Sequence, residues 1–299
     1  MTLGATSSGV LCIGRLYCDL IFTDVPRMPT LGTETFAGGL EFHAGGGAYI
    51  TAAWLASLGR AAALASYLPP TPFREKVVGE IAAANVDLSM SSAMPEGQAP
   101  QLTVSISTDG DRAFLTHQPG PPFPEFTATD IRRAGVRHVH IGELKTLTTR
   151  PEVLKAARQA GVTLSLDCGW DDNVDAAGLE PLLAEVDVFL PNASEAEALR
   201  RLGVALDGPG LTVIKHGAEG ATVTVDGQAI RVGAPKVSYV DPTGAGDAFN
   251  AGFLDAWLAG AKAEACLVAG NATGARAVSG CGGFPSEFAS TCAAETLIN

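Results

Sequence analysis

Asp241-Pro-Thr-Gly-Ala-Gly-Asp247-Ala-Phe-Asn-Ala-Gly252 carries the sharpest pattern in the chain. Gly244 and Gly246 permit tight backbone turns, and the Ala-rich run behind them predicts a helix over 245–259. A helix start turns free N–H groups and the positive end of its dipole outward, so the segment reads as an anion hole. Asp247 falls at the rim of that hole. Bound phosphate repels a carboxylate placed there, and the placement makes sense when the carboxylate takes a proton from a hydroxyl that attacks phosphorus. Gly-Ala-Gly-Asp by itself fits an N-capping aspartate on a glycine turn as well. The full spacing, Asp-x-Thr-Gly-Ala-Gly-Asp ahead of a long helix, points to the base.

Upstream of this segment, apolar strands alternate with helices. Val136–Ile141, Val162–Leu166, Val186–Leu190 and Leu211–Lys215 read as buried strands, separated by helices at 151–160, 179–185 and 195–201. Val10–Gly14 and Ala61–Leu68 read as further buried strands, and Tyr49–Leu58 as a helix stopped by Gly59. A second Ala-rich helix is expected at Ala263–Val278, and a hairpin over Ala221–Arg231 turns at Asp226-Gly227. Such alternation predicts an α/β fold with a central, mostly parallel sheet covered on both faces. Segments 20–42 and 101–116 do not fit that layer. The second alternates in polarity around Asp109-Gly110, so both are expected in a small separate β-sheet acting as a lid. Residues 1–299 are expected to form one domain.

Composition narrows the function. Hydrophobic residues make up 46% and charged ones 17% of 299 residues, ample for a large core. Twenty Lys+Arg against thirty-two Asp+Glu give a net charge of −12, which argues against nucleic acid or an anionic membrane as partner. Mean hydropathy is +0.21, yet no apolar stretch reaches membrane-span length, and residues 1–14 lack the pattern of a secretory signal. Cysteines 12, 18, 168, 266, 281 and 292 form no C-x-x-C pair, and His117, His138 and His140 show no ligand spacing. The expectation is a cytoplasmic protein with reduced thiols.

The Asp241–Gly252 segment resembles the C-terminal signature of the PfkB/ribokinase-like carbohydrate kinases, and the resemblance extends in order over most of the chain. It implies a ribokinase-like fold with a β lid over the sugar, and transfer of the γ-phosphoryl group of ATP to a hydroxymethyl group with Mg²⁺. Asp247 would be the general base, and the Gly244, Ala245 and Gly246 amides the anion hole. Pro191-Asn192-Ala-Ser-Glu195 is similar to the family's N-x-x-E motif. Asn192 and Glu195 either hold a hydrated Mg²⁺ or form a helix capping box, and their place after a strand favours the metal. Lys215-His-Gly217-Ala-Glu-Gly220 resembles the nucleotide loop, with Lys215 on a phosphate or in solvent. Asn271 and Gly280–Gly283 match the adenine pocket, and Asp241 and Thr243 match positions holding a monovalent cation such as K⁺ in some members.

On the sugar side, Asp19 is like the family's diol-binding aspartate, and a carboxylate can accept from two adjacent hydroxyls. Gly45, Gly46 and Gly47 resemble the family's glycine motif, and Glu143 a substrate-side glutamate; Glu143 fits an exposed loop position equally. The chain departs from the family at Ile50, where many members carry an Asn that contacts the sugar. Ile offers no polar partner, which predicts poor use of free ribose or fructose. The resemblance also implies a homodimer joined through the lids. A nucleoside kinase and a catalytically silent sugar- or nucleotide-binding regulator remain alternatives, although a binder has no need of Asp247. A dinucleotide-dependent oxidoreductase is disfavoured, because Gly14-Arg-Leu-Tyr-Cys-Asp19, not G-x-G-x-x-G, follows the first strand.

Overall fold

The computed structural model describes residues 9–108, 112–169, 175–225, 227–238, 241–280 and 282–284. The chain enters through β1 (Gly9–Ile13), buried along its whole length. β2 (Tyr17–Thr23) and β3 (Gly39–Gly45) pair antiparallel, α1 (Gly47–Ser57) follows, and β4 (Ala62–Ala65) returns beside β1. β5 (Tyr67–Leu68), α2 (Phe73–Ala83) and β6 (Ser92–Ala93) form an excursion in which β5 and β6 pair. β7 (Leu102–Ser107) and β8 (Arg112–His117) make a hairpin. Helices and strands then alternate through α3 (Ala128–Ala134), β9 (Val136–Ile141), α4 (Leu144–Thr149), α5 (Glu152–Ala160), β10 (Thr163–Asp167), α6 (Leu179–Leu183), β11 (Val188–Leu190), α7 (Ala193–Arg201) and β12 (Leu211–Lys215). The hairpin β13 (Ala221–Val225) and β14 (Gln228–Val232) and the helices α8 (Ala245–Leu258) and α9 (Ala263–Ala277) close the described fold.

The large sheet runs β14-β13-β12-β11-β10-β9-β1-β4. Its neighbours are parallel from β4 to β12 and antiparallel in the β12-β13-β14 ribbon. Successive side chains of a strand point to opposite faces, and in β1 Leu11 and Ile13 join one core while Val10 and Cys12 join another. Both cores are closed by helices, which is why these strands read as continuous apolar runs. The chain leaves β1 toward β4 on one side and toward β9 on the other, so the order reverses beside β1. In open α/β sheets ligands bind outside the strands' C-terminal ends at such a reversal.

The second sheet runs β3-β2-β7-β8, with β2 and β7 parallel at its centre. The two lid segments therefore interleave in one sheet, as their separate polarity implied. Their boundaries differ from expectation: β3 starts at Gly39 and ends on Gly45, so the glycine triplet is split between a strand end and the entry to α1. One lid face carries Leu20, Phe22, Leu40, Val104, Ile106 and Leu115, matched across the strands. Ala61–Leu68, read as one strand, breaks at Ser66, where the Ser91 hydroxyl takes the Ser66 N–H and donates to Leu64 O. Helices α2, α3 and α4 were not anticipated. The Thr127–Asp130 capping box at the start of α3 was the available sign. The Asp109-Gly110 turn and Asp226 lie outside the described residues.

Candidate active site

The loop ahead of α8 is shaped by Asp241. Its carboxylate accepts from the Thr243 N–H (2.9 Å), the Thr243 hydroxyl (2.7 Å) and the Gly282 N–H (3.0 Å). Gly244 sits in the left-handed region at φ 70°, and a Cβ there would lie 2.6 Å from Gly283 Cα, so only glycine fits between the two loops. The Ala245 N–H donates to Pro242 O at 3.2 Å. This corrects the expected anion hole: Ala245 is engaged in the turn, whereas no described backbone carbonyl takes the Gly244 or Gly246 N–H. The start of α8 thus presents free donors to an anion.

Asp247 follows on the first turn of α8. It faces Gly47: a Cβ on Gly47 would lie 2.8 Å from Asp247 Oδ1 and 2.9 Å from Gly142 O, so a side chain there would block the carboxylate. Burial pushes Asp247 up to about 7, with repulsion from Asp167 and Glu195 adding to it and Lys215 opposing. A carboxyl poised near neutrality suits a general base.

Lys215, at the end of β12, is neither solvated nor loose. Its Nζ donates to Asp167 Oδ1 at 2.9 Å and to Asn250 Oδ1 at 3.2 Å, and the Asn250 amide donates to Asp167 Oδ2 at 2.7 Å. Burial alone would lower the Lys215 pKa, but Asp167 and then Glu195 outweigh it and hold the ammonium charged. Sequence reasoning gave Asp167 and Asn250 no role. The available signals were Asp167 at a strand's C-terminal end and Asn250 three residues after Asp247 on one helix face.

Asn192 and Glu195 form the capping box that the sequence offered as one of two readings. The Glu195 N–H donates to Asn192 Oδ1 (2.9 Å) and the Asn192 N–H to Glu195 Oε2 (2.7 Å), a reciprocal cap on α7. Both residues nevertheless line the cleft. Hard oxygen donors from an amide and a carboxylate fit a Mg²⁺ that keeps most of its waters. Among the described residues no cluster of three or more His, Cys, Asp or Glu offers a fuller metal cage.

These groups face one cleft of about 840 Å³, which continues past Gly217 and Gly220 to walls from Ala234, Val237, Phe249 and Ala275. Asn271 lines that end, but its amide is tied to Val232 O (2.9 Å) and Gly233 O (3.3 Å), so it shapes the wall. Glu143 lines the cleft opposite, near Arg15 (3.7 Å), whose guanidinium also donates to Gly120 O (3.0 Å). Glu143 is half-buried in the cleft wall and not an exposed loop glutamate.

Asp19, Gly45 and Gly46 do not line this cleft. Asp19 lies on β2 of the lid sheet, against Thr103 and His43, and a Cβ on Gly45 would collide with its carboxylate. Burial raises Asp19 to about 7, with His43 and Thr103 opposing and Glu80 reinforcing. His43 bridges Glu80 (3.3 Å) and Glu41 (3.0 Å), and Gln118 donates to the Tyr17 hydroxyl (2.6 Å). Ile50 is a correction: it is 5% exposed and packs under Gly283, where an added Cβ would sit 2.4 Å from Ile50 Cδ1. It faces the C-terminal loop and not the cleft, because α1 turns that position away from Gly47. His138 and His140 are core histidines bridged by the Ser165 hydroxyl at 2.7 and 2.8 Å. Burial holds both below the usual histidine range. Cys12, Cys18, Cys168 and Cys266 are buried and unpaired, and no helix among the described residues is long and apolar enough to cross a membrane.

Residues 7–286 match the pfkB family of carbohydrate kinases. An ATP-dependent ribose-1-phosphate kinase of Halopiger xanaduensis is 31% identical over 89% of this chain and 90% of its own length. A 2-dehydro-3-deoxygalactonokinase of Haloferax volcanii is 28% identical over 80% and 83%. The solved nucleoside kinase of Methanocaldococcus jannaschii, a member of the ribokinase family, superposes with a TM-score of 0.78 at 21% identity, covering 98% of this chain and all of that one. Fold, cleft and sequence agree, and the chain belongs to the pfkB family of carbohydrate kinases.

Proposed function

We propose that this ATP-dependent carbohydrate kinase acts as one domain in which Asp247 takes the proton of an acceptor hydroxymethyl group while that oxygen attacks the γ-phosphorus of ATP. The observation that carries the reading is the place of the Asp247 carboxylate, which lines the cleft against Gly47 one residue beyond a Gly246 N–H that no described backbone carbonyl takes. The Gly244 and Gly246 amides receive the transferring phosphoryl charge. Thr243 and Asp241 hold the loop that presents them. Gly217, Gly220 and Asn271 shape the far end of the nucleotide cleft. Asn192 and Glu195 would hold the Mg²⁺, which when bound shields phosphate charge. Asp241 already accepts from Thr243 and Gly282 and fits a loop staple better than a K⁺ ligand.

Asp19 and Glu143 hold acceptor hydroxyls, while Gly45 leaves room for the Asp19 carboxylate, Gly46 for the Arg15 carbonyl and Gly47 for the Asp247 carboxylate. The apolar lid face, with Leu40 58% and Leu115 74% exposed, suits a second copy of the chain and supports a homodimer. Buried unpaired thiols suit a cytoplasmic setting. The reading is tested by incubating the protein with ATP, Mg²⁺ and a panel of free sugars, sugar acids, sugar phosphates and nucleosides. Acceptor-dependent ADP release with a product heavier by one phosphoryl group is expected. A nucleoside as the best acceptor would move the reading to nucleoside kinase, and no turnover with any arm would leave a silent binder.

A further inference from the structure

Lys215 raises a question that phosphoryl transfer by Asp247 alone does not answer. A buried ion pair costs desolvation that its attraction does not reliably repay, yet here a lysine whose side chain is 11% exposed is set against a buried aspartate and a buried side-chain amide. The three side chains close a ring: Lys215 Nζ to Asp167 Oδ1 (2.9 Å) and to Asn250 Oδ1 (3.2 Å), and Asn250 Nδ2 to Asp167 Oδ2 (2.7 Å). Each member comes from a different element, β12, α8 and β10. An ammonium has three donors, and two of them are taken inside the ring. The ammonium also lies directly beside the helix start: a Cβ on Gly246 would be 3.4 Å from Nζ. Lys215, Asp167 and Gly246 all face the same cleft.

We propose that Asp167 and Asn250 are positioning residues that fix the Lys215 ammonium against the Gly246 amide, where its remaining donor binds a γ-phosphoryl oxygen and makes Lys215 a catalytic residue. The inference rests on the phosphoryl-transfer reading. In the step, the acceptor oxygen bonds to the γ-phosphorus and its proton passes to Asp247. The bond from phosphorus to the β,γ-bridging oxygen breaks, and ADP leaves with that electron pair. Lys215 keeps its protons throughout and offers a fixed positive charge to the equatorial oxygens. Lysine acts on phosphate as a point charge, and its flexible stem would otherwise lose freedom on binding. The ring removes that freedom in advance, which is preorganisation of the kind that makes fixed donors effective.

The test compares the affinities of the wild type, Lys215→Met, Lys215→Arg and Asn250→Ala for ADP and for AMP-PNP, each with Mg²⁺, by calorimetry, alongside kcat. Lys215→Met is expected to weaken AMP-PNP by ~10-fold or more while ADP stays within about threefold, and to lower kcat by ~10²–10³-fold, the usual worth of one fixed donor to transferring charge. Lys215→Arg keeps the charge and should recover part of the AMP-PNP preference. Asn250→Ala keeps the Asp167 pair but frees one arm, and should lower kcat with little change in acceptor KM. A purely structural ring would lower the melting temperature in all three variants and leave the AMP-PNP to ADP ratio at its wild-type value, with kcat within about threefold; that result overturns the proposal. Should Lys215→Met not fold, the ratio in Asn250→Ala decides in the same way. Asp247→Asn run in parallel separates the two readings. Loss of turnover there with an unchanged ratio in the Lys215 variants removes this inference alone, and an active Asp247→Asn removes the base while the ratio still judges Lys215.

Discussion

The nucleotide half and the acceptor half of the site are built on different principles. In the nucleotide half, the side chains given roles above sit at strand ends or on the first two turns of α7 and α8, and most of them are held by one another. Asp167, Lys215 and Asn250 bind one another, and Asn192 and Glu195 cap each other. In the acceptor half, Asp19 hangs from a thin four-stranded sheet, and its partners come from that sheet and from the Glu80-bearing helix. Packed parallel strands are poorly deformable, so they suit the part of the reaction that is the same for every phosphoryl acceptor. On the function proposed above, the lid sheet, which leaves Leu40 and Leu115 exposed on its apolar face, carries the contacts that depend on which acceptor binds.

The pH dependence joins the two halves and has the largest expected effect. Asp247 and Asp19 are both raised to about 7. Their carboxylates must be ionised to take a proton and to accept from sugar hydroxyls, so kcat/KM for the acceptor should fall with decreasing pH below about 7, by more than tenfold per unit where both titrate. Asp19→Asn should reduce the limb to a single proton. The stability sign is opposite. A carboxyl whose folded pKa exceeds its unfolded value contributes stability at low pH that is lost as pH rises through the folded pKa. The melting temperature of the free protein should therefore fall between about pH 4 and pH 7, and Asp247→Asn should flatten part of that slope. A flat kcat/KM profile across this window would place neither carboxylate in the reaction.

Glu195→Gln sharpens the comparison within the nucleotide half. It should raise the Mg²⁺ concentration for half-maximal rate by ~10-fold and also cost about 1 kcal/mol in stability through the weakened cap. A stability loss with unchanged metal dependence would leave only the capping box. Ile50→Asn probes the border of the acceptor half. Buried beneath Gly283, the new amide should destabilise by ~1–3 kcal/mol for want of partners, while the ranking of acceptors stays put. A shift in acceptor preference toward ribose or fructose would show that this position reaches the sugar after all. The smallest effect on catalysis belongs to the lid's outer face. Leu115→Lys should shift the light-scattering mass from dimer to monomer and leave the pH profile unchanged; a monomeric wild type would contradict a lid-mediated dimer.

What was legible in the sequence follows the same division. The strands of the large sheet could be read because burial on both faces makes them continuous apolar runs, and the turn into α8 because Gly244 and Gly246 have few other reasons to stand together. The ring of Asp167, Lys215 and Asn250 was not legible. Its members lie 48 and 35 residues apart in pairs that only the sheet order brings together. Ile50 was misplaced because a family position says which residue is matched and not which way a helix turns it. Helix α2 escaped notice because its apolar stripe is narrow, with Val77 and Ile81 its buried residues. The split of the glycine triplet depends on where β3 stops, and Gly45 at that end leaves room for the Asp19 carboxylate.

The central claim is that Asp247, half-buried at the start of α8, removes the acceptor's proton during phosphoryl transfer. Asp247→Asn keeps the size of the side chain and removes the base. With the best acceptor from the screen, kcat should fall by ~10²–10⁴-fold, while the affinities for nucleotide and acceptor stay close to wild type. An Asp247→Asn protein that retains most of its kcat would contradict the account.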